Sequence, residues 1–265
     1  MILASASSLP PILSIVAALA YVLPAALLHH IPLRVAHALV VLAWLLQGLL
    51  LAHGLLGEPP LFGFAPALSV TAWLVAAVYA VESLIYPQLP TRWTLSTIGA
   101  VAVLLALFFP GAPMPASTSV WLPMHLAFGV ACYGLFGIAV VHAWFMNHAE
   151  QRIRMGKDSQ SGLPLLTLER LTYRFVTAGF VLLSATLLVG MLFGEVVYGH
   201  AWRWDHKTVF SVLSWLTFAV LLIGRSGFGW RGRRAATVLY VGSAFLLLAY
   251  VGSRFVLEIL LGRTP

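Results

Sequence analysis

Long apolar stretches alternate with short polar connections along nearly the whole chain. A transmembrane helix needs about 20 mainly apolar residues, because it must cross a hydrocarbon layer about 30 Å thick. Prolines mark many of the connections, as expected where helices end. The pattern predicts an all-α fold, a polytopic membrane helix bundle of about eight transmembrane helices. The candidate spans are Pro11–Leu28, Val35–Leu56, Phe64–Ile85, Trp93–Phe109, Trp121–Met146, Leu171–Val197, Val209–Ile223 and Ala235–Leu261.

Composition supports the membrane prediction and excludes several other classes of protein. The chain is 61% hydrophobic and 9% charged, whereas a soluble domain carries about 25% charged residues. The single cysteine, Cys132, rules out an intramolecular disulfide, a Cys-x-x-Cys redox pair and a cysteine zinc cluster. No internal repeat is visible, so we expect residues 1–265 to form a single integral-membrane domain.

The distribution of cations predicts how the bundle is oriented. Cytoplasmic connections of membrane proteins are enriched in lysine and arginine. Alternate connections here hold eleven cations against four, which places both termini and the Trp202–Lys207 loop outside. This bias also accounts for the net charge of +7 without a nucleic-acid partner. The cytoplasmic set is Arg34, Arg92, Arg152, Arg154, Lys157, Arg170, Arg174, Arg225, Arg231, Arg233 and Arg234; the outer set is Arg203, Lys207, Arg254 and Arg263.

The short segment Trp202-Arg-Trp-Asp-His-Lys207 carries the most suggestive chemistry. An aromatic platform beside histidines could hold a flat, apolar, iron-bearing ring such as haem, since neutral imidazole is a good haem ligand. The orientation puts His53, His125, His200 and His206 near the same outer face. The alternative is an ordinary aromatic belt, because tryptophan prefers the membrane–water interface in any case.

Other polar residues within the spans have simpler interpretations. Glu82 and Glu195 can each reach water by extending toward the nearer surface, and Arg254 is one helical turn from Glu258 and can pair with it. No motif of hydrolysis or nucleotide binding is present. The sequence therefore favours a protein that binds rather than catalyses.

The second half of the chain resembles the CcsA/ResC-type cytochrome c assembly proteins, which carry a tryptophan-rich outer loop called the WWD domain, and it is most similar to their YpjD-like branch. The motifs that carry the resemblance are Trp202-Arg-Trp-Asp-His-Lys207, Ser214-Trp-Leu216, Gly229-Trp-Arg-Gly-Arg-Arg234, Tyr250-Val-Gly252, and Met124-His-Leu126 followed by Cys132-Tyr133. Such proteins handle haem in the membrane and present it outside to apocytochrome c.

The resemblance implies a haem-handling protein of the bacterial cytoplasmic membrane, with other biogenesis proteins as partners. His125 matches the family's outer histidine, and His53 is placed like its histidine near the end of an early span. We therefore expect His53 and His125 as iron ligands. The full set of candidate haem-binding residues is His53, His125, Trp202, Trp204, Asp205, His206 and Arg254.

Two departures from the family pattern leave a second reading open. The family carries a histidine late in the span after the tryptophan loop, where this chain has Leu222-Ile-Gly-Arg225. It carries another just after the last span, where this chain has Leu261-Gly-Arg-Thr-Pro265. An accessory or regulatory membrane protein, like the similar HemX-type proteins, would keep the fold without haem. A small-solute transporter is disfavoured, because buried charge is sparse and no inverted repeat is visible.

The predicted orientation can be checked by labelling intact cells with a membrane-impermeant thiol reagent, in a Cys132→Ser background. Trp204→Cys should react in intact cells, and Arg233→Cys should react only after permeabilisation, because the two loops are expected on opposite sides. Labelling in the reverse order would refute the orientation.

Overall fold

The chain is described by a computed structural model over residues 9–27, 30–85, 93–114, 121–156, 165–194, 204–256 and 259. The elements are α1 (Leu9–Ala26), α2 (Leu33–Leu56), β1 (Leu61–Phe62), α3 (Phe64–Ile85), α4 (Trp93–Phe108), β2 (Ala112–Pro113), α5 (Trp121–Arg154), α6 (Leu165–Leu192), α7 (His206–Phe228) and α8 (Gly232–Leu247). Helix α8 continues through a π-helical turn, Leu248–Gly252, and a last α-helical turn, Ser253–Phe255. The two short strands, β1 and β2, pair in antiparallel fashion with Leu61 opposite Pro113.

These helices confirm the predicted polytopic, all-α membrane bundle. Within the described ranges, seven helices are long and apolar enough to cross a bilayer, and the last of them runs from Gly232 to Phe255. The fourth predicted span forms the shorter helix α4, of 16 residues. Helix α7 has 23 residues and begins at His206. It is longer than the apolar run from which it was predicted, because hydropathy does not register the polar turns at its ends.

The helices fall into two compact units. Unit 1 comprises Met1–Ala76 with Thr91–Pro115, and unit 2 comprises Ala77–Pro90 with Ala116–Pro265. Helix α3 belongs to both, since its first part lies in unit 1 and its last turns in unit 2. The single domain over residues 1–265 stays a prediction.

Unit 1 is held together by buried polar contacts inside an apolar bundle. Gln47 of α2 is 1% exposed. Its Oε1 accepts a hydrogen bond from the Tyr21 hydroxyl at 2.7 Å, and its Nε2 donates to the carbonyl and hydroxyl oxygens of Ser69 at 3.1 and 3.0 Å. Trp44 and Trp73 stack at 4.6 Å, and each indole N–H donates to the other residue's carbonyl. Every polar atom of Gln47 is therefore satisfied without water, as the hydrocarbon layer requires.

Unit 2 packs around two stacked phenylalanines. The Phe136 and Phe218 rings lie 3.8 Å apart and within 4° of parallel. Glycines on the facing helices leave room for them, since a Cβ on Gly179 would lie 3.0 Å from Phe136, and one on Gly242 would lie 2.8 Å from Phe218. The Ser214 hydroxyl donates to the Gly242 carbonyl at 2.9 Å. Small residues of this kind let membrane helices approach closely.

Filling the space at Gly242 should destabilise unit 2. We expect Gly242→Val to lower the free energy of unfolding by about 2 kcal/mol, because the stacked Phe218 ring has little room to move aside. The matched control is Gly227→Val on α7, where an added Cβ meets nothing within 4 Å. Unfolding of the detergent-solubilised protein measures both variants, and an equal loss in both would contradict the packing argument.

Candidate functional site

The candidate site lies at the end of unit 2 where α5 begins, α6 ends, α7 begins and α8 is continued by its last turns. Trp121 of α5 stacks on Phe193, just after α6, with the rings 3.8 Å apart. Across the same end, Lys207 of α7 interacts electrostatically with Arg254. The cation pattern predicts that this end faces outward. The fold thus brings together, at one end of unit 2, residues that are more than 100 positions apart in the chain.

His125 is half-buried on α5, one turn into the helix. Its Nδ1 lies 3.1 Å from the carbonyl oxygen of Thr186 on α6. A carbonyl oxygen can only accept, so in this hydrogen bond Nδ1 carries the proton and Nε2 carries the lone pair. Metal-bound histidines use this tautomer and are oriented by this kind of second hydrogen bond. The local structure of His125 therefore suits a ligand that binds iron through Nε2.

The tryptophan segment leads directly into α7. Trp202 lies outside the described residues, while Trp204 is 71% exposed. Asp205 is the N-cap of α7, and its carboxylate accepts a hydrogen bond from the Thr208 N–H at 2.8 Å. His206, the first residue of α7, is exposed. The cap holds the beginning of α7 and hence the position of the two residues beside it.

The Asp205 carboxylate is stabilised in its charged form. Partial burial by itself would raise its pKa, but hydrogen bonds from Thr208 and the nearby charges of Lys207 and His206 outweigh burial and lower the pKa. A carboxyl group with a lowered pKa adds stability above its ordinary pKa, and this stability is lost as the pH falls through the lowered value. Asp205 therefore stays ionised, and caps the helix, at neutral pH.

Arg254 lies just after the π-helical turn that continues α8, and it is half-buried. Its guanidinium is 5.7 Å from the centre of the Tyr250 ring. π-Helical turns often mark functional sites, because they redirect the side chains that follow. The charge of Arg254 acts on Lys207 across this end, together with the opposite charge of Asp205. The predicted pairing of Arg254 with Glu258 involves a residue outside the described ranges.

His53 is on the other unit. It lies in the last turn of α2, in unit 1, and it is exposed. Its pairing with His125 about one iron atom stays a prediction. The candidate residues at one end of unit 2 are thus His125, Trp204, Asp205, His206 and Arg254, whereas His53 belongs to unit 1.

One buried pair of polar residues was not anticipated. Glu82, expected to reach water, is only 4% exposed, and its Oε2 lies 2.9 Å from Nε2 of His142 on α5. The other carboxylate oxygen and His142 Nδ1 are buried and have no hydrogen-bond partner among the described residues. The expectation was wrong because the position of Glu82 near a helix end suggested that it could reach water, whereas the sequence does not show which helix packs over it. The available signal was that Glu82 and His142 both lie near the predicted cytoplasmic ends of their spans, and therefore at similar depths.

Seven apolar helices within the described ranges, with buried polar side chains that pair with one another, define a multi-pass helical membrane protein. Comparison with known proteins gives the family: the Cytochrome C assembly protein family matches residues 12–261, and the chain belongs to it.

Curated relatives include the cytochrome c biogenesis protein CcsA of Prochlorococcus marinus subsp. pastoris, 25% identical over 85% of this chain and 72% of the relative. The protein of the same name from Parasynechococcus marenigrum is 30% identical over 53% of this chain and 54% of the relative. That of Gloeobacter violaceus is 35% identical over 35% of this chain and 27% of the relative. No solved structure matches the chain.

The buried Glu82–His142 pair can be tested with a double-mutant cycle. We expect Glu82→Leu and His142→Phe each to lower the free energy of unfolding by about 3 kcal/mol, because each leaves a buried polar partner unpaired. The double variant should lose much less than the sum, with a coupling energy on the order of 2 kcal/mol. His148→Phe is the control, since His148 is exposed on the same helix and its ring already packs at a tilted angle against Trp144. Additive losses would show that the two residues do not interact.

Proposed function

We propose that this protein acts in cytochrome c biogenesis in the bacterial inner membrane, by binding haem at its outer face. Membership of the Cytochrome C assembly protein family supports the biogenesis role, as do relatives named cytochrome c biogenesis proteins. The observation that carries the haem proposal is the hydrogen bond from His125 Nδ1 to the Thr186 carbonyl. It leaves the lone pair on the ring nitrogen that an axial iron ligand would use.

Each candidate residue has a separate role in this proposal. His125 binds the iron, with His53 as the second ligand. Trp202 and Trp204 provide the apolar platform on which the flat ring lies, and His206 stands beside it. Asp205 holds this platform at the beginning of α7 through its cap on Thr208.

The cations at the same end suit the acidic edge of the ring. Arg254 and Lys207 are close enough for their charges to interact, and haem carries two propionate groups that would pair with them. These residues would hold haem, which brings a redox-active iron, ready for attachment of the whole haem group to another protein. Within this proposal the whole chain, residues 1–265, works as one membrane domain.

A second candidate function is an accessory or regulatory membrane protein that does not bind haem. Arg225 favours it, because this residue stands near the place where the resembled assembly proteins carry a histidine. Its NH1 lies 2.6 Å from Glu169 Oε1 and also donates to the Trp230 carbonyl. This part of α7 is thus used to hold helices together and would not contribute a ligand.

The absorption spectrum of protein purified from haem-replete cells separates the two functions. We expect a Soret band in the wild type, and His125→Ala should lower haem occupancy at least about tenfold, since it removes an iron ligand. His53→Ala should also lower it. His148→Ala is the control, because His148 lies far along α5 from His125 and is exposed.

The outcomes are distinct if folding is checked by the thermal melt of each variant. Folded wild-type protein without a Soret band would refute haem binding and favour the accessory role. A band that survives His125→Ala unchanged would refute the assignment of the ligand.

A further inference from the structure

A cavity of about 350 Å³ opens at the opposite end of unit 2. It lies where α5, α6 and the first turn of α8 meet. Its walls combine apolar with charged side chains, which distinguishes it from the surrounding helix packing. It is lined by Met146, Asn147, Glu150, Leu165, Leu166, Glu169, Arg231 and Gly232.

The length of α5 places this cavity at the membrane surface. Helix α5 has 34 residues, which corresponds to about 50 Å at 1.5 Å per residue, against a hydrocarbon layer of about 30 Å. With Trp121 as the interfacial anchor at the other end, the hydrocarbon layer ends about 20 residues later, before Met146. The cavity residues Met146 to Glu150 then lie at the level of the lipid headgroups, on the side that the cation pattern assigns to the cytoplasm.

One acid of the cavity is already neutralised by the protein. Glu169 is 7% exposed, and its Oε1 lies 2.6 Å from NH1 of Arg225 and 3.7 Å from Nε of Arg231. Arg225 also packs over the Tyr173 ring at 4.6 Å. Two cations therefore serve one carboxylate, and the Arg225 contact is the shorter. Arg231 keeps 63% of its side chain exposed and can pair with a further anion.

The second acid of the cavity has no such partner. Glu150 of α5 has no ion pair or hydrogen bond with any described residue. Its Oε1 would lie 3.7 Å from a Cβ on Gly232, so the carboxylate stands beside the first residue of α8, which directly follows Arg231. The cavity thus offers a carboxylate and a guanidinium of opposite charge to a molecule that enters it.

A molecule that satisfies both groups must carry an anion and a cation a few bonds apart. Phosphate is matched by guanidinium, and a primary ammonium is matched by carboxylate, to which it can donate up to three hydrogen bonds. The apolar side chains of Met146, Leu165 and Leu166 favour a molecule with an acyl chain, and Leu166 is 67% exposed. We propose that this cavity binds the headgroup of phosphatidylethanolamine, with the phosphate on Arg231 and the ammonium on Glu150.

The charges also predict which phospholipids bind less well. Phosphatidylcholine has the same phosphate, but its trimethylated nitrogen cannot donate a hydrogen bond to Glu150. Phosphatidylglycerol also has the same phosphate, but its glycerol headgroup is neutral and places no cation beside Glu150 to offset the carboxylate charge. The cavity therefore selects its lipid by the ammonium, whereas arginine contacts alone would favour anionic lipids.

Binding of dioleoyl phospholipids to the full-length detergent-solubilised protein can be followed by native mass spectrometry. We expect the Kd for phosphatidylethanolamine to be about tenfold lower than that for phosphatidylcholine or phosphatidylglycerol, the factor expected from one charge-assisted hydrogen bond. Glu150→Gln should remove the difference between phosphatidylethanolamine and phosphatidylcholine. Arg231→Gln should weaken both, and Arg225 should preserve the fold by keeping its contact with Glu169.

Matched controls are Glu58→Gln, an exposed acid of unit 1, and Arg154→Gln, an exposed cation at the end of α5 that does not line the cavity. Both should leave the lipid preference unchanged. Equal affinity of the wild type for the three lipids would overturn the proposal, as would a preference that survives Glu150→Gln. Displacement of phosphatidylethanolamine by free O-phosphoethanolamine at a similar concentration would also overturn it, because the occupant would then be a soluble molecule.

Discussion

Polar groups inside the hydrocarbon layer must find their hydrogen-bond partners within the protein, and this constraint shapes both units. In unit 1, Gln47 is enclosed by Tyr21 and Ser69, and its acceptor and both donor contacts are made by protein atoms. In unit 2, Glu82 and His142 meet at 2.9 Å in a place that is almost closed to solvent. A wrong pairing of helices would leave these groups exposed to lipid, so the buried polar contacts select the native packing.

Close packing of aromatic rings against glycine is the second feature common to the two units. Tyr21 lies where a Cβ on Gly99 would stand only 2.9 Å from its ring, and Gly179 and Gly242 approach the Phe136–Phe218 stack in the same way. Lipid is as apolar as the side chains themselves, so burial from water does not drive such helices together. Dispersion contacts between well-fitted surfaces supply the attraction, and glycine makes the close fit possible.

The two ends of unit 2 use charge in different ways. At the Glu169 end, Arg225 and Arg231 neutralise a buried carboxylate and hold α6, α7 and the start of α8 together. At the His125 end, the cations Lys207 and Arg254 lie near each other, with the Asp205 carboxylate close to Lys207. In the haem site proposed there, these two cations would suit the acidic edge of the ring.

The sequence by itself determined the membrane class, the approximate spans and the family. Runs of apolar residues are local, and so they predict where each helix crosses the bilayer; the motif order around Trp204 and His125 led to the cytochrome c assembly family, which matches residues 12–261. Helix ends were predicted less well, because α5 continues to Arg154 through polar residues that hydropathy does not register.

Only the tertiary structure decided which polar side chains meet. Glu82 and His142 are 60 residues apart in the chain, Glu169 and Arg225 are 56 apart, and the carbonyl that orients His125 lies 61 residues away. No local pattern connects such positions, because a pair of this kind depends on which helices are neighbours and on the rotation of each about its axis. These two properties are set by packing between helices, and packing is a property of the folded chain.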